Sequence, residues 1–316
     1  MLNRGMKAGS VLVLSLTLLA CAATPQKNDG NGGAYSALYD GESTAAFGTS
    51  FPAGSPAEAK ARGDAAAKAG DWDRALFEYI RGLEMADEPS PEVLYRIGAI
   101  HDRRGNANLA EAAYRWALRV EPKEHSARIA LGILRLRQRA YGDARQALET
   151  AVDEGARSWR AQNALGVLAD LDSRFAAAKK HYEAALEINA GSAVILNNLG
   201  YSRYLAGDWS GARAALERAL AADAEHQLAW RNLGLVHVRQ GRYDEALAAF
   251  RHTQPSAEAY NDMGYVAMLD GDAEMAARLF DEAMRASPTF YETASENATR
   301  VRGRMDGGED GRESAR

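Results

Sequence analysis

Trp230-Arg231-Asn232-Leu233-Gly234 decides how this chain is read, together with three marks at fixed distances beyond it: Gly241-Arg242-Tyr243, then Ala246, then Phe250. A Leu-Gly pair lies in one apolar stretch, a Gly-polar-aromatic triplet breaks it, and a second stretch carries a small residue and then a ring. Moving outward, the same marks return. Gly98, Gly132, Gly166, Gly200 and Gly234 stand 34 residues apart each time; Gly63 precedes the first by 35, and Gly264 follows the last by 30. Ala75, Ala110, Ala144, Ala178, Ala212, Ala246 and Ala276 keep the beat. Seven residues later Ala117, Ala151, Ala185, Ala219 and Ala283 hold it again, with Gly82 and Thr253 in that place in the first and sixth units. A fixed period of this size signals a solenoid of repeated supersecondary units.

Each unit reads as two antiparallel helices. The glycine of the Leu-Gly pair lets the second helix approach closely, and the aligned alanine presents a small surface in return. Turns such as Gly70-Asp71-Trp72 and Gly207-Asp208-Trp209 supply the left-handed residue that ends a helix. The rings four residues past the alanine (Tyr79, Tyr114, Tyr182, Phe250, Phe280) are expected to fill the space between neighbouring units. Together these residues match the signature of the tetratricopeptide repeat, and the chain resembles that family over 56–290. The resemblance implies an all-α superhelical solenoid of about seven helix-turn-helix units, starting near Pro56, Pro91, His125, Trp159, Ala193, Gln227 and Ala257. A capping helix is expected over 291–304, since terminal repeats need a polar cover, with a disordered tail over 305–316. The sixth unit is four residues short, about one helical turn. Pro255 lies in the gap, so the second helix there should end near His252 and the array should bend.

Upstream of the repeats the sequence changes character. Met1 to Lys7 carries Arg4 and Lys7 and no acid, and Val11 to Ala20 is an apolar run too short for the roughly 20 residues a spanning helix needs. A basic head before a short apolar core reads as an export signal over 1–20. Its end, Leu18-Leu19-Ala20-Cys21, resembles the lipobox of bacterial lipoproteins. By that resemblance the signal is cut before Cys21, and Cys21 carries the lipid. Several acyl chains suffice to hold a protein on a membrane, at about 0.8 kcal/mol per buried CH₂. By resemblance to enterobacterial sorting rules, Ala22 rather than Asp after the Cys favours the outer membrane, with the protein facing the periplasm. Residues 21–55 are rich in Gly, Ser, Thr and Ala without helical or strand periodicity, and read as a flexible tether.

Composition removes several classes of function. The chain has 316 residues with 38 Lys+Arg against 43 Asp+Glu, a formal charge of -5, and so lacks the basic excess of a nucleic-acid binder. A single Cys forbids an intrachain disulfide and any cysteine-based metal cage. The six His show no metal-binding spacing, and there is neither a phosphate-cradling G-x-x-x-x-G-K-[ST] loop nor a G-x-S-x-G elbow. Hence no enzyme, cofactor, metal or small-molecule substrate is expected.

What remains is a binding groove. In the resembled family the first helices line the concave face through positions 2, 5, 9 and 12 of each unit. Position 5 holds Asn163, Asn197, Arg231 and Asn261; position 9 holds Tyr201 and Tyr265; position 12 holds Asp170 and Tyr204. Asn can pair with both the N–H and the C=O of an extended backbone, and Tyr offers area plus a hydroxyl. A row of them suits a peptide strand or a partner helix. The whole layout is similar to the TadD lipoproteins of Tad/Flp tight-adherence pilus systems, with lipobox, polar spacer, repeats and a shortened late unit leading into Asn261-Asp262-Met263-Gly264-Tyr265. That likeness implies an outer-membrane scaffold whose partners are the secretin or other pilus-assembly components. A rival likeness is to NlpI-type adaptor lipoproteins, which would recruit cell-wall hydrolases or synthases; a third reading is capture for a polysaccharide exporter.

Overall fold

The computed structural model describes residues 35–40 and 53–313, with side chains through Met305; Cys21, the export signal and most of the spacer lie outside the described residues. The described residues hold fifteen α-helices, one 3-10 turn (Ser36–Leu38) and no strand. Seven hairpins follow in order: α1 (Pro56–Lys68) with α2 (Trp72–Glu84), α3 (Pro91–Arg103) with α4 (Ala107–Val120), α5 (His125–Arg137) with α6 (Tyr141–Asp153), and α7 (Trp159–Leu171) with α8 (Phe175–Ile188). The series continues with α9 (Ala193–Leu205) and α10 (Trp209–Ala222), α11 (Gln227–Arg239) and α12 (Tyr243–Phe250), α13 (Ser256–Leu269) and α14 (Ala273–Ala286), and closes on α15 (Glu292–Glu313). The first helices therefore begin where the sequence places them, except that α13 starts one residue early, at Ser256.

Local chemistry sets these boundaries. Ser55, Ser90, Ser158 and Ser192 cap first helices, each hydroxyl accepting from the amide three residues on. Asp71, Asp208 and Asp272 do the same for second helices. Such caps satisfy amides that have no partner inside the helix. At every hairpin turn one residue is left-handed. Gly serves in five of them, but Arg139 (φ 63°) and Ser173 (φ 58°) take the position in units three and four.

Packing corrects the expected place of the rings. Tyr114 lies against Gly98 of its own unit, and a Cβ built on Gly98 would stand 2.5 Å from the ring. Gly63 meets Tyr79, Gly166 meets Tyr182, Gly234 meets Phe250 and Gly264 meets Phe280 in the same way, while Leu148 and Leu216 replace the ring at Gly132 and Gly200. The glycine thus makes room for a large side chain inside its hairpin rather than between hairpins. Tyr79, Tyr114, Tyr182, Phe250 and Phe280 are all fully buried, each worth about 1.5–3 kcal/mol relative to exposure.

Successive first helices touch one another along the array, whereas each second helix packs chiefly on the two first helices that flank it. That asymmetry places the first helices on the inner face. In the short sixth unit α12 stops at Phe250, two residues before the expected end, and Trp230 stacks flat on His252 (3.8 Å, 5°) where another helical turn would have run. Ala294, Ala298 and Val301 of α15 are buried, α15 packing mainly on α14, and α15 continues to Glu313, past the expected limit at 304.

The expected spacer 21–55 is corrected at residues 35–40, which pack on the array. Leu38 is buried and Tyr35 stacks on Trp116 at 4.7 Å. Two aromatics and a leucine within six residues give this stretch enough apolar area to order itself once a complementary surface is present, which the polar composition around it conceals.

Candidate protein-binding face

At about 100° per residue, positions 2, 5, 9, 12 and 13 of a helix fall within roughly 100° of one another. The seven residues expected to line a groove share this face on α7, α9, α11 and α13, but they are not equivalent. Asn163, Asn197 and Asn261 are engaged between units. The side-chain carbonyl of Asn163 accepts from Asn198 Nδ2 (3.0 Å), that of Asn197 from Asn232 Nδ2 (2.9 Å), and that of Asn261 from Asn297 Nδ2 (3.2 Å). These bonds make a ladder of neutral amides across the interfaces, and Asn197 is only 5% exposed. Arg231 is tied to Asp262 of α13 (3.4 Å), which also accepts from Gln254. Tyr265 packs partly into the last hydrophobic cluster.

Tyr201 and Tyr204 remain. Their rings stack at 6.0 Å, and the hydroxyl of Tyr204 accepts from Arg239 Nε (3.2 Å), whose guanidinium also pairs with Asp270. Tyr201 is 39% exposed, and it has exposed apolar company: Leu171, Val194, Leu205 and Leu228. These four stand at positions 13, 2, 13 and 2 of their helices, on the same face. The sequence hides them because a Leu or Val on a helix reads as core; the signal that could have found them is their register, since position 2 is an inward position and position 13 falls beside it on the same face. Singly exposed apolar residues need no explanation, but a set on one face marks a contact surface.

Below this surface lies Asp170. It accepts from Ser202 Oγ (2.6 Å) and Tyr182 Oη (2.7 Å), joining α7, α8 and α9. Burial pushes its carboxyl above the ordinary range, partly offset by those two hydrogen bonds. Burial likewise raises the Tyr201 hydroxyl, so the ring meets a partner uncharged. Among the described residues no group of three His, Cys, Asp or Glu converges on a point where a metal would sit, and no helix is long and apolar enough to cross a membrane. The arrangement offers stacking area, amide edges and a neutral apolar strip.

Comparison with known proteins agrees on the fold. A family model described as tetratricopeptide repeat matches residues 95–156, 129–193 and 197–254. A tetratricopeptide repeat protein from Parabacteroides merdae superposes with a TM-score of 0.53 at 17% identity, covering 78% of this chain and 98% of that one. The structure of Pseudomonas aeruginosa pilF gives 0.51 at 18% identity, covering 65% and 95%. The APC/C Cut9-Hcn1 hetero-tetramer gives 0.53 at 16%, with 67% of this chain covering 42% of the matched one. No curated protein is a significant sequence match. Residues 95–193 and 197–254 of this chain thus match the tetratricopeptide-repeat family, within an all-helical array of the superhelical kind.

Proposed function

We propose that this protein is a non-catalytic scaffold, held at the outer membrane through acylated Cys21, that binds a protein partner along the inner face of α7, α9 and α11 and assists assembly of a Tad/Flp-type pilus or its secretin. The observation that carries the binding face is the strip of Leu171, Val194, Tyr201, Leu205 and Leu228, exposed on the face that the first helices turn inward. Tetratricopeptide repeats generally hold protein partners, so the coarse reading follows from the fold. The membrane anchor is supported by the single Cys at the end of a lipobox-like run. The pilus assignment rests on the resemblance of the layout to TadD lipoproteins.

Two measurements test this. Photocrosslinking from position 201 in intact cells, followed by identification of the adduct, should yield a secretin or another pilus component. Recovery of cell-wall hydrolases or synthases instead would replace the pilus reading with that of an NlpI-like adaptor. Metabolic labelling with a fatty-acid analogue should mark the wild-type chain and leave Cys21→Ser unlabelled; labelling of the variant would end the anchor reading.

A further inference from the structure

Residues 35–40 do more than lie on the surface. Leu38 enters the hydrophobic cluster built by the first two units, with Tyr35 and Tyr39 packed beside it. Its carbonyl oxygen accepts from Nε2 of His101 at 2.7 Å, a ring wholly buried beneath it. Asp40 receives Arg104 Nη1 at 2.9 Å and the Asn106 side-chain amide, and stands 3.5 Å from His101 Nδ1. Arg104 is fixed in turn by Asp73 of α2 (2.8 Å). One face of the segment is therefore read by an aromatic wall, a leucine pocket, a donor to the main chain and a cation. These are the elements of short-peptide recognition: anchors for side chains and a polar group for the main chain. The seat is also separate from the inner face. His101 is the eleventh residue of α3, on the side turned towards the second helices, and Trp116 belongs to α4.

We infer that residues 35–40 are a peptide ligand bound in cis, and that their seat at His101, Arg104, Asn106 and Trp116 is a recognition site for a segment of the form Tyr-x-x-Leu-Tyr-Asp. The chain's own segment occupies the site at rest. A partner segment of the same chemistry enters when the cis segment leaves. Register supports the specificity of this seat. The matching positions in unit six are His237, Gln240, Arg242 and His252, which keep the buried imidazole but exchange the places of the cation and the amide held by Arg104 and Asn106 and replace the indole of Trp116 with a smaller ring.

The test is competition between cis and trans. A fluorescein-labelled peptide of residues 33–42 is titrated into the full chain and into Leu38→Asp, with polarisation as readout. Leu38→Asp empties the seat without touching the repeats, so it should bind the peptide at least ten-fold more tightly than wild type. Tyr35→Ser with Asp40→Ala serves the same purpose should Leu38→Asp alter the circular dichroism. Adding Trp116→Ala or Arg104→Glu to the emptied chain should abolish the gain. Equal binding by wild-type and emptied chains, no binding by either, or a gain that survives both seat variants would overturn the inference. Because the peptide is the chain's own and the readout needs no membrane or pilus component, failure here is distinguishable from failure of the proposed scaffold role.

Discussion

Between units one and three the first helices are joined by charge. Arg96 of α3 reaches Asp64 of α1, Lys60 pairs with Glu92 (3.5 Å), and Arg137 of α5 meets Asp102 of α3. Between units four and six the same face is joined by neutral amides, Asn198 to Asn163 and Asn232 to Asn197, with Ser202 on Asp170, before charge returns between units six and seven in Arg231 with Asp262 and Arg239 with Asp270. Arg96, Asn198, Asn232 and Asn297 all occupy the sixth position of their helices, so one register does one structural job with two chemistries. The choice has consequences. Ion pairs that are a third exposed are screened by salt and worth under about 1 kcal/mol, and their charges cover the inner face. Amide pairs consume their own polarity and leave room for apolar side chains to stand in solvent. That is where Tyr201, Leu205 and Leu228 are found. The charged half instead receives the chain's own Tyr35–Asp40 on its other side.

The largest expected effect tests what the halves share. Gly98→Ala in the charged half and Gly166→Ala in the amide half would each bring a methyl group to 2.5 Å from a buried ring. Both should lose about 2–3 kcal/mol in denaturant titrations, as overpacked sites do; tolerance in one half alone would break the equivalence of the hairpins. Next comes the ladder. Asn197→Ala strands the Asn232 amide and should cost about 1–2 kcal/mol, and a double-mutant cycle with Asn232→Ala should return a coupling that high salt leaves unchanged. The same cycle on Asp64 and Arg96 should shrink in salt. Asn197 is consequently a poor probe of partner binding, since its loss disturbs the fold; Tyr201→Ala, which removes an exposed ring, is the cleaner one.

A smaller effect concerns the two hairpin turns without glycine. Ser173→Gly and Arg139→Gly should each stabilise by up to about 1 kcal/mol, because a side chain at positive φ is strained, and thermal melts would show it. Smallest is the acid response. At Asp64 burial alone would raise the carboxyl, but the Tyr79 hydroxyl and the Arg96 and Lys60 cations outweigh it and hold it below the ordinary value; Arg96 lowers Glu92 chiefly by hydrogen bonding. Groups lowered in the folded state contribute stability that is present above their unfolded values and lost as pH falls through the folded ones. Asp170, raised by burial, has the opposite sign: its protonation in the folded state comes first and relieves a penalty. Protection from hydrogen exchange, taken relative to the intrinsic rate at each pH, should therefore fall in α1 and α3 before α7 and α9 as the pH is lowered through the carboxylate range. The reverse order would contradict the electrostatic contrast.

Much of this was legible in the residues. The glycine beat from Gly63 through Gly98, Gly132, Gly166, Gly200 and Gly234 located six of seven unit starts to the residue, because each glycine must face one large side chain and nothing bulkier can stand there. The inward register was legible too. What each inward residue touches was not: Asn163, Asn197 and Asn261 look alike whether they face a peptide or Asn198, Asn232 and Asn297, and the pairing partner is 35 or 36 residues away.

Sequence by itself determined the repeat, the hairpin and the turn positions, since helix periodicity, capping and glycine conformation act over a few residues and recur with the period. Only the tertiary structure decided which of those residues are free. Exposure of Tyr201, the amide ladder and the seat of Leu38 on His101 depend on which surfaces stacking brings together, and contacts across 35 or 63 positions leave no mark on local pattern.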